Sequence, residues 1–484
     1  MSLFPAANIY QPLHQLGEPF YSEVPPQGLR NPALVHTSAS AAELLQLSPQ
    51  QLASDEFLHL ASGNSYFQPC PPLATVYSGH QFGVYVPQLG DGRAMSLGTV
   101  KGPDGEWEMQ LKGAGQTPYS RFGDGRAVMR STIREYLCSE AMHGLGIATT
   151  RGLSITTGSD KVQRETVEPA AVLIRLARSH VRFGSFEFFH YNGQHQRVKQ
   201  LADYVIERHH PGLLGEQDRH YRFLERTVTA TAEMIAHWQA VGFTHGVMNT
   251  DNMSILGDTI DYGPFGFMDD YQPGFVCNHS DERGRYAFSR QPAIGLWNCN
   301  ALAHALSSLV DSEQLTQALQ QYEPAFLDTL AELMAAKLGL KEQHTNDGQL
   351  IDSLLATMAD NSVDYTLLFR RLCDFDSENE KIAELFNNPD DFRKWAQDYR
   401  QRLQQQDWPQ PQRCAAMKKA NPKYILRNYL AEVAIRKAED EQDYSEIDRL
   451  ITLLASPFDE HPELEQYAAQ PPEWAQGLSL SCSS

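Results

Sequence analysis

The chain has 484 residues and a formal net charge of -20, with 40 Lys and Arg against 60 Asp and Glu. Hydrophobic residues make up 42% of it and aromatic residues 10%, which is ordinary globular composition and excludes wholesale disorder. The acidic balance argues against nucleic-acid binding, which uses basic surface to neutralise phosphates, and the length suits several small domains or one large two-lobed domain.

Targeting and membrane segments are not expected. The first 29 residues contain no Lys or Arg and no long apolar run, unlike a secretory signal or an Arg-rich transit peptide. No run approaches the roughly 20 apolar residues of a membrane span. The seven cysteines are scattered without a CxxC pair or metal-ligand spacing. These features predict a cytoplasmic protein in a reducing compartment with no membrane partner.

Three parts follow one another along the chain. Residues 1–80 are rich in Pro, Ser and Ala, contain Arg30 as their only Lys or Arg, and are predicted to be an N-terminal extension packed on the next part. Residues 81–192 alternate apolar and polar residues between Gly-rich turns, which indicates strands. Residues 193–484 carry mostly helical periodicity. We therefore predict an α+β fold with a mixed, β-rich N-terminal lobe and an α-rich C-terminal lobe.

A short glycine-containing loop, Leu89-Gly90-Asp91-Gly92-Arg93, lies between two runs typical of strands, residues 84–88 and 94–100. Glycines at the tip of such a hairpin would let backbone N–H groups approach phosphate oxygens. A plain Asp-Gly hairpin turn explains the same residues. Arg93 favours the phosphate interpretation, because it is the only Lys or Arg between Arg30 and Lys101.

Lys112 ends a predicted strand on the parity opposite to its apolar residues, so its side chain should point away from the packed face. A helix is predicted to follow at residues 127–143, and Glu135 in it is flanked by small neighbours that would let the helix approach the sheet closely. A strand Lys paired with a helix Glu is how kinase-type folds hold a lysine on nucleotide phosphates. A solvated strand lysine, and Glu140 as the partner, are the alternatives.

The most informative segment is His245-Gly246-Val247-Met248-Asn249-Thr250-Asp251-Asn252. After the two-residue turn Gly257-Asp258 comes Asp261-Tyr262-Gly263. A kinase catalytic loop reads H-R-D-x-x-x-x-N and is followed by D-F-G. Asn252 and Asp261 therefore stand where kinases have their metal ligands. Val247, however, occupies the position of the usual catalytic Asp, and an apolar side chain cannot accept a proton.

Asp251 is then the only carboxylate within this loop. The alternative interpretation of the whole segment is a turn-rich connector, in which Asn and Asp serve as turn formers.

Several basic residues surround a predicted strand at residues 170–177: Arg175, Arg178 and Arg182. Arg175 and Arg182 could clamp phosphates through planar, bidentate hydrogen bonds. Ordinary surface ion pairing in an acidic protein is the alternative. Asp124-Gly125 lies in the loop between the Lys112 strand and the helix. It is likewise either a nucleotide contact or an ordinary surface feature.

Three segments closely resemble the selenoprotein O family of pseudokinases, and the resemblance extends over nearly the whole chain. They are Leu111-Lys112-Gly113-Ala114-Gly115-Gln116-Thr117-Pro118-Tyr119-Ser120-Arg121, His245-Gly246-Val247-Met248-Asn249-Thr250-Asp251-Asn252 and Ile260-Asp261-Tyr262-Gly263-Pro264. The resemblance implies a protein-kinase-like fold that binds ATP in a reversed orientation. AMP, and not the γ-phosphoryl group, would then pass to Ser, Thr or Tyr hydroxyls of protein substrates.

The resemblance also implies roles for individual residues. Lys112 would hold phosphates and pair with Glu135, Asp251 would accept the proton, and Asn252 and Asp261 would bind Mg²⁺ or Mn²⁺. Besides Lys112 and Asp261, the implied nucleotide contacts are Gly90, Gly92, Arg93, Asp124, Gly125, Arg175 and Arg182. The kinase departure at Val247 is then explained, because a reversed nucleotide presents a different phosphorus to the acceptor.

Alternatives remain within and outside this activity. In the same fold, UMP transfer or residual γ-phosphoryl transfer would use the same residues. A nucleotide-binding scaffold without catalysis is a third interpretation, although it would not require both Asn252 and Asp261. The sequence indicates neither the protein substrates nor the oligomeric state.

The C-terminal Cys482-Ser483-Ser484 looks like the tail in which some family members carry selenocysteine. A tail thiol can reach a partner with little strain, and Cys277, just after Asp261-Tyr262-Gly263, is the candidate whose position would couple redox state to catalysis. The alternative is a thiol that reacts only incidentally, because a reducing cytosol disfavours stable disulfides.

Overall fold

The computed structural model describes residues 3–5, 8–68, 70–342, 344–475 and 478. Within these ranges the strands are β1 (Ile9–Tyr10), β2 (Tyr21–Glu23), β3 (Ala33–Thr37), β4 (Leu73–Thr75), β5 (Gly79–Gln81), β6 (Val84–Val86), β7 (Ala94–Gly102), β8 (Gly105–Lys112), β9 (Ala127–Val128), β10 (Arg151–Gln163), β11 (Val167–Ala177), β12 (Phe243–Thr244) and β13 (Gly266–Phe267).

The helices of the same ranges are α1 (Ala39–Glu43), α2 (Pro49–Leu52), α3 (Asp55–Ala61), α4 (Met129–Gly144), α5 (Phe183–Tyr191), α6 (His195–His209), α7 (Arg219–Ala240), α8 (Gln291–Ala305), α9 (Ser312–Leu319), α10 (Tyr322–Lys337), α11 (Asp347–Asn361), α12 (Tyr365–Leu372), α13 (Phe375–Ala383), α14 (Pro389–Leu403), α15 (Gln410–Ala420), α16 (Asn428–Arg436) and α17 (Ser445–Ala455). Strands concentrate in the first part of the chain and helices in the rest, which confirms the predicted α+β order.

A nine-stranded antiparallel sheet organises the N-terminal part. Its order is β2-β4-β7-β8-β11-β10-β3, with β1 paired to β7 and β9 paired to β11. Residues 1–80 supply β1 to β4 of this sheet, so the extension shares its hydrogen-bond ladder instead of only packing on it. The division of the chain at residues 80 and 192 stays a proposal.

Strand alternation separates the two faces of this sheet. On β8, Met109 and Leu111 join an apolar core built with the helices α1 to α3. Lys112 lies on the opposite face, toward α4, as the parity of the strand predicts. Arg175 of β11 stands opposite Gln110 of β8 in register, and its Nε donates to Gln110 Oε1 at 2.8 Å. The pairing of β8 with β11 therefore brings Lys112 and Arg175 to one face.

The C-terminal part is built around the long helix α7. Its buried Phe223, Leu224, Val228 and Ile235 recur at helical spacing and belong to an apolar core that also includes residues of α4, α8 and α16. Helices α11 to α15 enclose a second apolar core, to which α10 and residues between 268 and 288 also contribute.

The glycine loop 89–93 is not the tip of a hairpin, and that prediction was wrong. β6, before the loop, pairs with β5 in a separate two-stranded sheet, whereas β7, after it, pairs with β8. The loop instead bonds to the chain before β5: Leu89 N donates to Tyr77 O and Asp91 N to Thr75 O, both at 3.0 Å. A local turn pattern does not determine which strand each flanking run joins, because strand pairing is set by tertiary packing.

The residues on the two sides of the Gly257-Asp258 turn are bonded to different segments of the chain. Ser254 forms an isolated bridge with Arg182, and Thr259 forms one with Thr149. The two flanks of the turn are therefore held by different parts of the molecule and not by each other.

Candidate functional site

A cleft of about 700 Å³ borders the face of the sheet that carries Lys112. It is lined by every residue for which the sequence predicts a catalytic, nucleotide-binding or metal-binding role: Gly90, Gly92, Arg93, Lys112, Asp124, Gly125, Arg175, Arg182, Asp251, Asn252 and Asp261. Glu135 lines an adjoining cavity of about 250 Å³, which shares Arg93 and Lys112 with the cleft. One cavity system therefore collects residues from both lobes.

Three buried cations converge on one carboxylate at the base of this cleft. Asp261 pairs with the guanidinium groups of Arg175 and Arg182, and Lys112 Nζ lies 3.4 Å from its Oδ1. Glu135 is the second anion, with Oε2 at 2.5 Å from Lys112 Nζ and Oε1 at 2.8 Å from Arg175 Nη1. Three positive and two negative groups leave an excess positive charge, which suits an anionic ligand.

Asp261 occupies an unusual backbone conformation. Its φ of +57° lies in the left-handed region, which Asp adopts more readily than most residues. Burial raises the pKa of its carboxyl group, but Arg175, Arg182 and Lys112 outweigh burial and hold the pKa well below its usual range. Asp261 is therefore ionised at neutral pH, which is the form of a carboxyl group that can bind a metal ion.

Lys112 pairs with Glu135 and not with the alternative Glu140. Glu140 accepts hydrogen bonds from both Nε and Nη2 of Arg151 at 2.9 Å and from Ser38 Oγ at 2.8 Å. Burial lowers the pKa of Lys112, while Glu135 and Asp261 oppose that effect by favouring its charged form. Glu140, which is also on α4, therefore belongs to a separate ion pair with Arg151.

Asp251 lies at the wall of the cleft with only 8% of its surface exposed. Its Oδ2 accepts from Gln81 Nε2 at 3.2 Å, whereas its Oδ1 is enclosed beside Gly79 and accepts no hydrogen bond from another of the described residues. Burial raises the pKa of this carboxyl group to about 6, against the opposing effect of Arg182. A largely buried carboxylate with a pKa near neutrality is suited to accept a proton.

Hydrogen bonds and a ring contact hold the other residues of the loop from His245 to Asn252. His245 Nε2 is 2.9 Å from the carbonyl oxygen of Ile260, and its ring stacks on Trp238. Asn252 Nδ2 donates to the carbonyl of Val247 at 3.1 Å, so its Oδ1 is the atom that could bind a metal. Val247 lies at the cleft in the position of the kinase base. The loop thus keeps the spacing of a kinase catalytic loop, with Val247 at the position of the kinase base and Asp251 as its carboxylate.

The glycine loop owes its glycines to close packing. Gly90 has φ +121°, and a Cβ there would lie 2.6 Å from Cγ of Tyr119, while one at Gly92 would lie 2.9 Å from the Tyr119 carbonyl oxygen. The Asp91 side chain is buried, with Oδ2 accepting from Thr75 N at 2.9 Å. The glycines therefore let the loop pack on Tyr119 at the edge of the cleft, where Arg93 is exposed.

Sequence reasoning assigned no role to three arginines that line the cleft, Arg121, Arg126 and Arg164. Arg164, in the turn between β10 and β11, forms a bidentate pair with Asp124, with both N–O distances 2.9 Å. Arg126 also lines the cleft and donates to the Gln27 carbonyl at 2.6 Å. Arg126 directly follows the predicted Asp124-Gly125 in the chain, whereas Arg164 reaches the cleft through its tertiary pair with Asp124. Arg178, by contrast, pairs with Asp258 at 2.5 Å and is absent from the cleft lining.

A profile of the family described as protein adenylyltransferase SelO matches residues 4–455. The chain belongs to the SelO family. It is therefore an enzyme of the nucleotidyltransferase class with the protein-kinase-like fold of that family. In this SelO enzyme the β-rich lobe carries Lys112, and the helical lobe carries the loop with Asp251 and Asn252.

Relatives of this SelO enzyme are similar over their whole length. Proteins named protein nucleotidyltransferase YdiU from Myxococcus xanthus and Thiobacillus denitrificans are each 52% identical to it, over 96% and 97% of both chains respectively. A YdiU protein of Vibrio vulnificus is 49% identical over 100% of both chains. Among the described residues, no helix combines the length and apolar character needed to cross a bilayer.

The two redox candidates stand differently in the structure. Cys277 is buried beside the loop, and its Sγ donates to the Pro264 carbonyl at 2.6 Å. A Cβ at Gly246 would lie 2.7 Å from that sulfur, so the thiol lies directly beneath the loop. Cys482 lies outside the described residues, and its pairing with Cys277 stays a prediction.

Proposed function

We propose that this SelO enzyme transfers AMP from ATP to Ser, Thr or Tyr hydroxyls of proteins, including itself, and releases pyrophosphate. The observation that carries the proposal is the placement of Asp251. Its carboxylate lines the same cleft as the Arg175, Arg182 and Lys112 cluster, while the kinase base position holds Val247.

ATP would enter this cleft through its phosphates. Lys112, Arg175 and Arg182 form a ready cluster of cations, and planar guanidinium groups suit bidentate contacts with phosphate oxygens. Arg93, Gly90, Gly92, Asp124 and Gly125 would complete the nucleotide contacts from the rim. Phosphate binding would also draw Arg175 and Arg182 away from Asp261, which would free that carboxylate.

The residues present fit a hard divalent cation. Asn252, whose Nδ2 is held by the Val247 carbonyl, and Asp261 supply oxygen ligands, which Mg²⁺ and Mn²⁺ prefer. Among the described residues no cluster of three or more His, Cys, Asp and Glu forms a dedicated metal cage, so phosphate oxygens would complete the ligand set. When bound, the ion would neutralise phosphate charge.

The chain's own residues would then carry the proton and the charge. Asp251 would accept the proton of the attacking hydroxyl as the oxygen bonds to the α-phosphorus. The bond from the α-phosphorus to the bridging oxygen would break, and pyrophosphate would leave with its charge held by Arg175 and Arg182. The products are AMP-modified protein and pyrophosphate.

Position-specific labelling tests this proposal. Purified protein incubated with Mg²⁺ or Mn²⁺ should incorporate label from the α-phosphorus of ATP into protein and none from the γ-phosphorus. Label from γ alone would establish phosphoryl transfer, and α-label from UTP but not from ATP would establish UMP transfer. Absence of all label, with nucleotide bound, would establish a scaffold. Asp251→Asn is the matched inactive control.

Two further expectations belong to this proposal. We expect ATP and proteins that carry Ser, Thr or Tyr hydroxyls to be its partners, as the family's activity implies. The scattered cysteines support a reducing, cytoplasmic location for the enzyme.

A further inference from the structure

The loop that carries Asp251 is held by strand β5 of the N-terminal segment. The His80 backbone N–H donates to Thr250 Oγ1 at 2.7 Å, and the Phe82 N–H donates to Asn249 Oδ1 at 3.2 Å. Gln81, between them, donates to the Asp251 carboxylate. Residues close to position 80 therefore bind three successive residues of the loop, 249 to 251.

A buried carboxylate completes this attachment from the other side. Glu187 of α5 has no exposed surface, and its Oε2 accepts a hydrogen bond from the Thr250 hydroxyl. Its Oε1 lies 2.5 Å from Nδ1 of His80. The Thr250 hydroxyl, itself fully buried, thus accepts from His80 and donates to Glu187. Both of its hydrogen-bonding roles are used.

Close packing leaves this network little freedom. A Cβ at Gly79 would lie 2.9 Å from Oδ1 of Asp251, and a Cβ at Gly184 would lie 2.0 Å from the Ser78 carbonyl oxygen. Arg182, just before α5, also donates to the Asp251 carbonyl at 2.7 Å. The strand, the start of α5 and the loop are therefore in contact along their backbones, and Thr250 is the side chain that joins all three.

Glu187 does not line the cleft, so it has no route to the nucleotide. We infer that Glu187 is a positioning residue: through the Thr250 hydroxyl and His80 it holds the adjacent Asp251 carboxylate where the acceptor hydroxyl arrives. This inference rests on the proposed role of Asp251 as proton acceptor. A base displaced by a fraction of an ångström loses rate without losing substrate affinity, which is the behaviour expected when this network is cut.

Thr250→Val and Thr250→Ser form the matched pair that tests it. Valine keeps the shape of threonine and removes the hydroxyl, whereas serine keeps the hydroxyl. We expect Thr250→Val to lower kcat by about 10- to 100-fold, with KM for ATP within about twofold of the wild type. Thr250→Ser should recover most of the lost kcat. Equal losses in both variants, or a rise in KM without a fall in kcat, would overturn the inference.

Coupling to Asp251 separates positioning from general support of the fold. In an Asp251→Asn background, Thr250→Val should cause no further loss of the residual rate, because the base through which it acts is already gone. Additive losses would show that the network serves the fold and not Asp251. Glu187→Gln, which keeps the shape of the side chain, is the second variant if Thr250→Val folds poorly, and the same coupling is expected of it.

The outcome also distinguishes this inference from the proposed function. If Asp251→Asn is inactive and Thr250→Val is normal, the proposed base stands and the positioning role is wrong. If Asp251→Asn retains full activity, both are wrong. The nucleotide used is the one that the wild-type protein transfers, so an error about AMP does not affect the comparison.

Discussion

Lys112 Nζ donates a hydrogen bond to Glu135 Oε2 at 2.5 Å, and the pair joins the sheet to helix α4. Glu135 keeps a second cation, Arg175, on its other oxygen. We therefore expect Lys112→Ala to leave Glu135 paired and the fold intact, while nucleotide transfer falls by about 10²–10³-fold, as when one donor to a developing charge is removed.

Thermal melting together with α-label incorporation checks this prediction. Lys101→Ala, which removes an exposed lysine from the same sheet, is the control and should change neither quantity. A melting temperature lowered as far as by a core truncation would show that Lys112 is structural.

Asp251 and Asn252 should separate catalysis from binding. Asp251→Asn is expected to lower turnover by about 10²–10⁴-fold, the range of a general base, with nucleotide affinity nearly unchanged. Asn252→Ala should weaken metal and nucleotide binding together. Calorimetric titration with nucleotide and Mn²⁺ measures the affinities. Equal losses of affinity in both variants would make Asp251 a supporting residue of the metal site.

The pH dependence of kcat/KM should report Asp251. Burial raises its pKa to about 6, and only the ionised carboxylate accepts a proton, so kcat/KM should fall as the pH drops through about 6 and level off above it. Asp251→Asn should remove this dependence from the residual rate. A kcat/KM that stays roughly constant between about pH 5 and about pH 8 would contradict the assignment.

Asp261→Ala should affect binding and stability together. Arg182 is 2% exposed and has no other carboxylate partner among the described residues, so its charge would lose its countercharge. Removing one member of a buried ion pair costs about 3–5 kcal/mol. Asp261→Asn, which keeps hydrogen-bond acceptance, should be less destabilising but equally deficient in metal-dependent nucleotide binding. Unchanged Mg²⁺ or Mn²⁺ titrations would refute the metal role.

Oxidation should connect Cys277 to Cys482 and change activity. The Cys277 thiol is buried beneath Gly246, so a bridge there would restrain the loop that carries Asp251. We expect treatment with a thiol oxidant to alter turnover, thiol reductants to reverse it, and Cys482→Ser to abolish the response. Peptide mapping that finds Cys482 free, or paired elsewhere, would dispose of the proposal.

Local patterns were enough to predict much of the architecture. Alternation predicted strand β8 and the side of it on which Lys112 lies, and the helix predicted at residues 127–143 is α4, which begins and ends within two residues of those bounds. The motif from His245 to Asn252 was recognisable because its residues are contiguous. The hairpin at Gly90 failed for the opposite reason: a turn pattern says that the chain bends there and not which strand it joins.

The sequence by itself determined which chemical groups this enzyme has and their order along the chain: a strand lysine, a helix glutamate, paired arginines, and a kinase-like loop with Val247 and Asp251. The tertiary structure decided which of them meet. The Arg175 and Arg182 pairs with Asp261 and the Glu187–Thr250–His80 network join residues 63 to 170 positions apart. Local periodicity reports only neighbours within a turn or a strand, whereas such contacts arise when two lobes pack and bury charges that must find partners.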